Sequence, residues 1–160
     1  MVDDASGGEV ALEPDAQFWE VRFRGRYEGD RVLAELAALL PAGLTLYLEG
    51  TSIAPDVQAF LARRPEPNPM AVRRGVIWPR PTTFHVPLTD ENVAGLVGLM
   101  EHHAAVEIAD HVHAYRGTVA YLIWHDAWFD SPLYVRNDVP EEGVRSLCDE
   151  FGGEFRPFAD

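Results

Sequence analysis

The stretch from residue 84 to residue 125, FHVPLTDENVAGLVGLMEHHAAVEIADHVHAYRGTVAYLIWH, decides the fold. Phe84 to Leu88 reads as an extended segment. Thr89 then caps a helix, with Asp90 and Glu91 in the first turn, where the positive end of the helix dipole favours carboxylates. Val93, Leu96, Val97 and Met100 follow at spacings of three and four, the period of one apolar helix face. Beyond the helix the period changes to two. Asp110 to Tyr115 and Val119 to His125 are extended runs around Arg116 and Gly117, the pattern of a β-hairpin.

Working outward, Leu133 to Arg136 is a further short strand. Asp138 and Pro140 open a last helix whose inner positions are Val144, Leu147, Cys148 and Phe151, and Gly152 closes it. Glu154 to Phe158 is an edge strand, because Pro157 cannot donate to a ladder. On the other side, Trp19, Val21, Phe23 and Tyr27 alternate with Glu20, Arg22, Arg24 and Arg26 as a half-buried strand. A helix from Asp30 to Leu40, a strand from Leu44 to Glu49 and a short helix entered at Pro55 follow. The prolines at 65, 67 and 69 begin a surface loop. The order predicts an α+β fold: one two-layer domain, a mixed sheet with helices on one face, and a ferredoxin-like split βαβ arrangement over the C-terminal two thirds. Such a fold carries no function by itself.

The chain has 160 residues, 47% of them hydrophobic, enough for one globular domain over residues 17–160. Residues 1–16 show no periodicity and are expected to be a flexible acidic tail. Thirteen arginines and no lysine stand against 26 carboxylates, for a formal net charge of −13. The absence of lysine excludes Schiff-base chemistry and the P-loop lysine that contacts nucleotide phosphates. The negative charge argues against nucleic acid and anionic lipid as partners and for a basic protein. One cysteine, Cys148, permits no intrachain disulfide and suits a cytoplasmic location. The longest apolar run, Leu36 to Leu48, is interrupted by Pro41 and Gly43 and is too short to span a bilayer, so no membrane partner is expected.

Two candidate sites emerge. The first is a ligand-binding group of His111, His113, Trp124, His125, Asp126 and Trp128. His111 and His113, two apart on a strand, present their imidazoles to one face. Whether His125 joins them depends on the turn. A two-residue loop at Arg116 and Gly117 leaves His125 on the opposite face, and a three-residue loop with a bulge brings it across. The aromatic and acidic run from Trp124 to Asp130 offers apolar cover with polar anchors, the composition of a small-molecule site. No metal and no cofactor are assigned. The second candidate is a partner-binding stripe of Arg22, Arg24 and Arg26, joined by Tyr47 if the first two long strands are neighbours. The expected function is a non-catalytic protein-binding or regulatory module. The alternative is a small enzyme or ligand-binding domain using the aromatic, histidine-containing loop. The oligomeric state cannot be read from the sequence.

Overall fold

Apolar residues at alternate positions build the strands, and their partners at spacings of three and four build helices that cover one side. The computed structural model describes residues 8–25, 27–76, 78–128 and 131–159. In chain order the elements are β1 (Glu9–Val10), β2 (Phe18–Phe23), α1 (Gly29–Leu39), β3 (Thr45–Gly50), α2 (Pro55–Ala62), β4 (Ala71–Val72) and β5 (Thr82–Pro87). They continue with α3 (Asp90–Met100), β6 (His111–Arg116), β7 (Val119–Trp124), β8 (Leu133–Arg136), α4 (Glu141–Phe151) and β9 (Gly153–Pro157). Local signals behave as the sequence reading expects at several ends. Thr89 accepts a hydrogen bond from the Asn92 amide at 3.2 Å, Pro55 stands in the first turn of α2, and Gly152 ends α4 with a φ of 69°.

Among the described residues the fold is α+β, with four α-helices and a seven-stranded antiparallel sheet in the order β5-β3-β6-β7-β8-β2-β9. The expected mixed sheet is corrected: every hydrogen-bonded pair in it is antiparallel. The ferredoxin-like order also differs from what is observed, because that order would return β9 to the side of β5. Instead the two strands form opposite edges. Both arrangements split their crossovers, and they differ in which strands fill the gaps. A crossover helix is about 10 Å wide, roughly two strand spacings, so a β-α-β unit leaves room for one strand. In β5-α3-β6 that gap holds β3, and in β8-α4-β9 it holds β2. Both inner strands come from the N-terminal half, and β6, β7 and β8 stay adjacent through short connections.

The helices bury Leu33, Leu36, Leu61, Leu96, Val144 and Leu147 in one core with Val21, Leu48, Val112, Leu122 and Val135 of the sheet. The opposite sheet face is covered over its middle and left exposed at the β2–β9 edge, where Arg22, Glu154 and Arg156 meet solvent. Phe18, Tyr47, Tyr115, Ala120 and Ile123 form a second core there with Val10, joined by Leu12, Met70 and Val72. The cover is β1, paired in parallel with β4, Glu9 to Ala71 and Val10 to Val72. Residues 8–16 therefore depart from the expected flexible tail: they hold a strand, and Val10 is 1% exposed. Burial of Val10 and Leu12 outweighs the ordering entropy that a patternless reading assigns to them. Deleting residues 1–13 is accordingly expected to lower the unfolding free energy by about 2 kcal/mol, read from urea denaturation of the truncated chain. An unchanged midpoint would show that this cover contributes no stability.

Candidate functional site

The hairpin decides which histidines meet. Arg116 pairs with Val119, so the turn is the two-residue loop Gly117–Thr118, with Gly117 at a φ of 56°. Tyr115 then pairs with Ala120 but Ala114 with Leu122, so Tyr121 is an extra residue in a bulge. The bulge, rather than a longer turn, restores the register that puts His125 on the same face as His111 and His113. The three rings stand 4.8 to 6.4 Å apart, centroid to centroid. Tyr47 of β3 stacks on His113 at 5.8 Å, and His85 of β5 meets Tyr47 edge-on at 5.0 Å.

The hydrogen bonds of this cluster define its protonation. The Trp124 amide donates to His113 Nδ1 at 3.1 Å, and the Asp126 amide donates to His111 Nδ1 at 3.0 Å. An amide donor at Nδ1 leaves the proton of a neutral ring on Nε2. A metal-bound histidine has the reverse arrangement, donating from its free ring nitrogen, so His111 and His113 are held in the wrong tautomer for ligation through Nε2. Among the described residues no group of three metal-ligating side chains has the geometry of a metal site. Burial, reinforced by His125 and His111, holds His113 well below the usual histidine range. His125 is also lowered, chiefly by burial, against the opposing influence of the Leu12 carbonyl.

Beside the histidines lies Glu49, with no solvent exposure. Its Oε1 accepts from the Tyr47 hydroxyl at 2.7 Å and the Gly75 amide at 3.1 Å, and its Oε2 accepts from the Val76 amide at 2.8 Å. His111 Nε2 is 3.9 Å from Oε2. This carboxylate fastens the loop after β4 to the sheet. The loop passes so close that a Cβ on Gly75 would lie 2.8 Å from His111 Nε2, which requires glycine at that position. The same anchor brings Arg73 and Arg74 over the face.

These arginines, with Arg80, are the functional candidates that the sequence reading missed. Of the other described arginines, Arg63 also lacks an ion pair, on the helix side at the end of α2, and the rest are engaged: Arg22 and Arg156 with Glu20, Arg24 with Glu154, Arg31 with Glu28 and Glu150, and Arg145 with Glu141. Arg64, Arg116 and Arg136 bond to carbonyl oxygens. Arg73, Arg74 and Arg80 are exposed and make no ion pair among the described residues, in a chain with twice as many carboxylates as arginines. A cavity of about 480 Å³ opens between Arg73, Arg74 and Gly75 on one side and the segment Glu9–Glu13 on the other, with His125 in its lining. The available signal was Arg73-Arg74-Gly75 inside a proline-bounded loop, a pattern with no specificity until the loop is placed.

The other expected site residues divide. Trp124 is fully buried on the helix side, stacked on Tyr27 and edge-on to Trp128, so it faces away from His125. Trp128 donates from Nε1 to the Ala109 carbonyl at 3.2 Å and lines a small cavity with Gly29 and Met100 on that side. Asp126 is exposed at the turn. Asp126 and Trp128 take left-handed φ values of 48° and 75°, conformations disfavoured for residues with a side chain and held here by those contacts. The aromatic loop therefore splits between two faces and does not enclose one ligand. Phe129 and Asp130 lie outside the described residues.

The arginine stripe is also divided. β2 and β3 are separated by β6, β7 and β8, so the condition that linked Tyr47 to Arg22 and Arg24 is not met, and Tyr47 is buried. Arg26 lies outside the described residues. Two further polar groups are taken up by internal bonds. Thr51 donates from its amide and hydroxyl to Asp110 Oδ2, which uses the donors between β3 and α2 that an anion would need. His103, at the end of α3, bridges Asp56 at 2.9 Å and Glu107 at 3.4 Å, which raise it above the usual histidine range. Comparison of the chain with family models, with curated proteins and with solved structures finds no match.

Proposed function

We propose that this protein binds a small anionic molecule on the sheet face opposite the helices. The observation that carries the reading is the set of three unpaired arginines on the loop that Glu49 anchors over the histidine cluster. Guanidinium groups are the natural receptors for carboxylate and phosphate, because their planar forks present paired donors. In this chain carboxylates outnumber arginines two to one, and the loop arginines nevertheless make no ion pair among the described residues. Glu9 and Glu13 in the wall of the larger cavity bound the anion's position to the arginine side. His125, half-buried and held low, supplies a ring that gains a proton more readily once negative charge is beside it.

The reading is binding rather than turnover. Arg74 lines both cavities of this face and is the residue to test. Isothermal titration with inorganic phosphate and with citrate should show saturable binding, weakened at least tenfold in Arg74→Ala, about 1.4 kcal/mol or more. Arg74 is exposed, so the variant should keep the parent unfolding transition. Equal affinity in parent and variant would refute the reading. A cytoplasmic location belongs to the same proposal: burial pushes the thiol of the single cysteine, Cys148, up to about 11, an unreactive group that needs no disulfide partner.

Recognition of a basic protein partner is the second reading. It rests on the net charge of −13 and on Trp78, whose 86% exposure on the arginine loop is that of an interface anchor. Among the described residues no helix is long and apolar enough to cross a membrane.

A further inference from the structure

On the β5 side of the arginine loop the same face holds a second cavity of about 320 Å³, lined by Tyr47, Arg74, Arg80, Thr83 and His85 together with apolar residues of β4. It differs from the larger cavity in one respect. Among the described residues no carboxylate lines it, whereas Glu9 and Glu13 line the other. We infer that this second cavity is a subsite for the phosphoryl group of a small phosphomonoester and that His85 takes up a proton as the group binds, an inference that rests on reading this face as an anion site.

The donors argue for phosphate over carboxylate. Arg74 and Arg80 have no ion pair among the described residues, and the Thr83 side chain is exposed on the same wall. With His85 they make four donor-bearing side chains including two cations, which suit the three terminal oxygens and up to two negative charges of a phosphate better than the single charge of a carboxylate. The volume lies at the small end for ligand sites, which fits a phosphorylated carbon skeleton of a few atoms and not a nucleotide.

The histidine is built to respond. Its Nδ1 is 2.8 Å from the Tyr115 hydroxyl, whose oxygen accepts from the Met70 amide at 3.0 Å, so the ring is held through Nδ1 and Nε2 is its remaining polar atom. The groups around it are the Tyr47 and Tyr115 phenols, Arg74 and Arg80 across the cavity, and Glu66, whose amide donates to the His85 carbonyl at 2.8 Å. Burial raises both phenols and lowers His85, with Glu66 opposing the latter effect, so the cavity presents a neutral ring among neutral phenols and two cations to an incoming anion. A phosphate dianion beside it reverses the balance and favours the imidazolium.

The test is calorimetry on the full chain at pH 7, with inorganic phosphate and glycerol phosphate as ligands, each in two buffers of different ionisation enthalpy. Glycerol phosphate is expected to bind about tenfold more tightly than inorganic phosphate, with net proton uptake. Arg80→Ala should weaken it at least tenfold. His85→Gln should keep binding but lose the proton uptake, and unfolding curves of both variants would establish that they fold. Several results overturn the inference: no proton uptake, unchanged uptake in His85→Gln, or unchanged affinity in Arg80→Ala. Equal affinity for the two ligands overturns the monoester assignment in favour of free phosphate. Loss of binding in Arg73→Ala with Arg80→Ala unaffected places the anion in the larger cavity, refuting this subsite while leaving the anion reading intact. Failure of every anion to bind refutes both.

Discussion

Replacing Glu49 by alanine is expected to lower the unfolding free energy by about 3 kcal/mol. The carboxylate is fully buried and satisfies three donors, the Tyr47 hydroxyl and the Gly75 and Val76 amides. Alanine leaves all three without an acceptor, and each unsatisfied buried donor costs about 1–3 kcal/mol, reduced here because the loop amides can reach water once the anchor is gone. Glu49→Gln retains one acceptor oxygen but presents an NH₂ group to a donor, so a loss about half as large is expected. Urea denaturation at neutral pH measures both. The anchor also orients the arginines, so the alanine variant should lose anion affinity although Glu49 touches no ligand. A stable Glu49→Ala protein with undiminished affinity would contradict the role assigned to this residue.

Acidification is expected to destabilise the protein between pH 7 and pH 5, above the range in which most carboxylates titrate. His113 is lowered in the folded state by burial and by its two histidine neighbours, whereas in the unfolded chain it titrates near the ordinary value of about 6.5. Below that value the unfolded chain binds a proton that the folded chain refuses. Stability is therefore complete above the unfolded pKa and falls as pH drops toward the folded one, by up to about 1.4 kcal/mol per pH unit for each such group. His85 and His125 are lowered as well and add to the slope. His103 has the opposite sign: it is raised by Asp56 and Glu107, so its contribution is full at low pH and lost as pH rises through its folded value. The two are separated by substitution. In His113→Gln, which keeps an oxygen to accept the Trp124 amide, the free energy of unfolding should depend less steeply on pH from 7 to 5. An unchanged slope would assign the acid response to other groups.

Most elements were legible in the sequence because their causes are local. The alternation of Trp19, Val21 and Phe23 makes a strand with one buried side wherever it is placed, and the spacing of Val93 and Leu96 makes a helix stripe. Caps work in the same way: Thr89, Pro55 and Gly152 act on backbone groups within a few residues of themselves. The charge pattern was legible too, including the excess of carboxylates that makes an unpaired arginine meaningful. Residues 8–16 were misread because their apolar content, chiefly Val10 and Leu12, is too sparse for periodicity and acquires value only against Tyr115 and Ile123.

Strand order, register and the site were decided by the tertiary structure. Strand order followed from the width of the crossover helices, which opened gaps that β2 and β3 entered, strands distant in sequence from the crossovers they complete. The meeting of His111, His113 and His125 hung on one extra residue, Tyr121, and a two-periodic sequence cannot show where a bulge will fall because it reads identically on either side of the slip. The Arg73–Arg80 loop has no periodicity to read at all. Its position comes from Glu49, a residue whose own alternation with Leu46 and Leu48 predicted a sheet-face side chain and no more. Composition and period act along the chain and are written in it. Which face becomes a site depends on long-range pairings, whose free energy exists only after the chain has closed on itself.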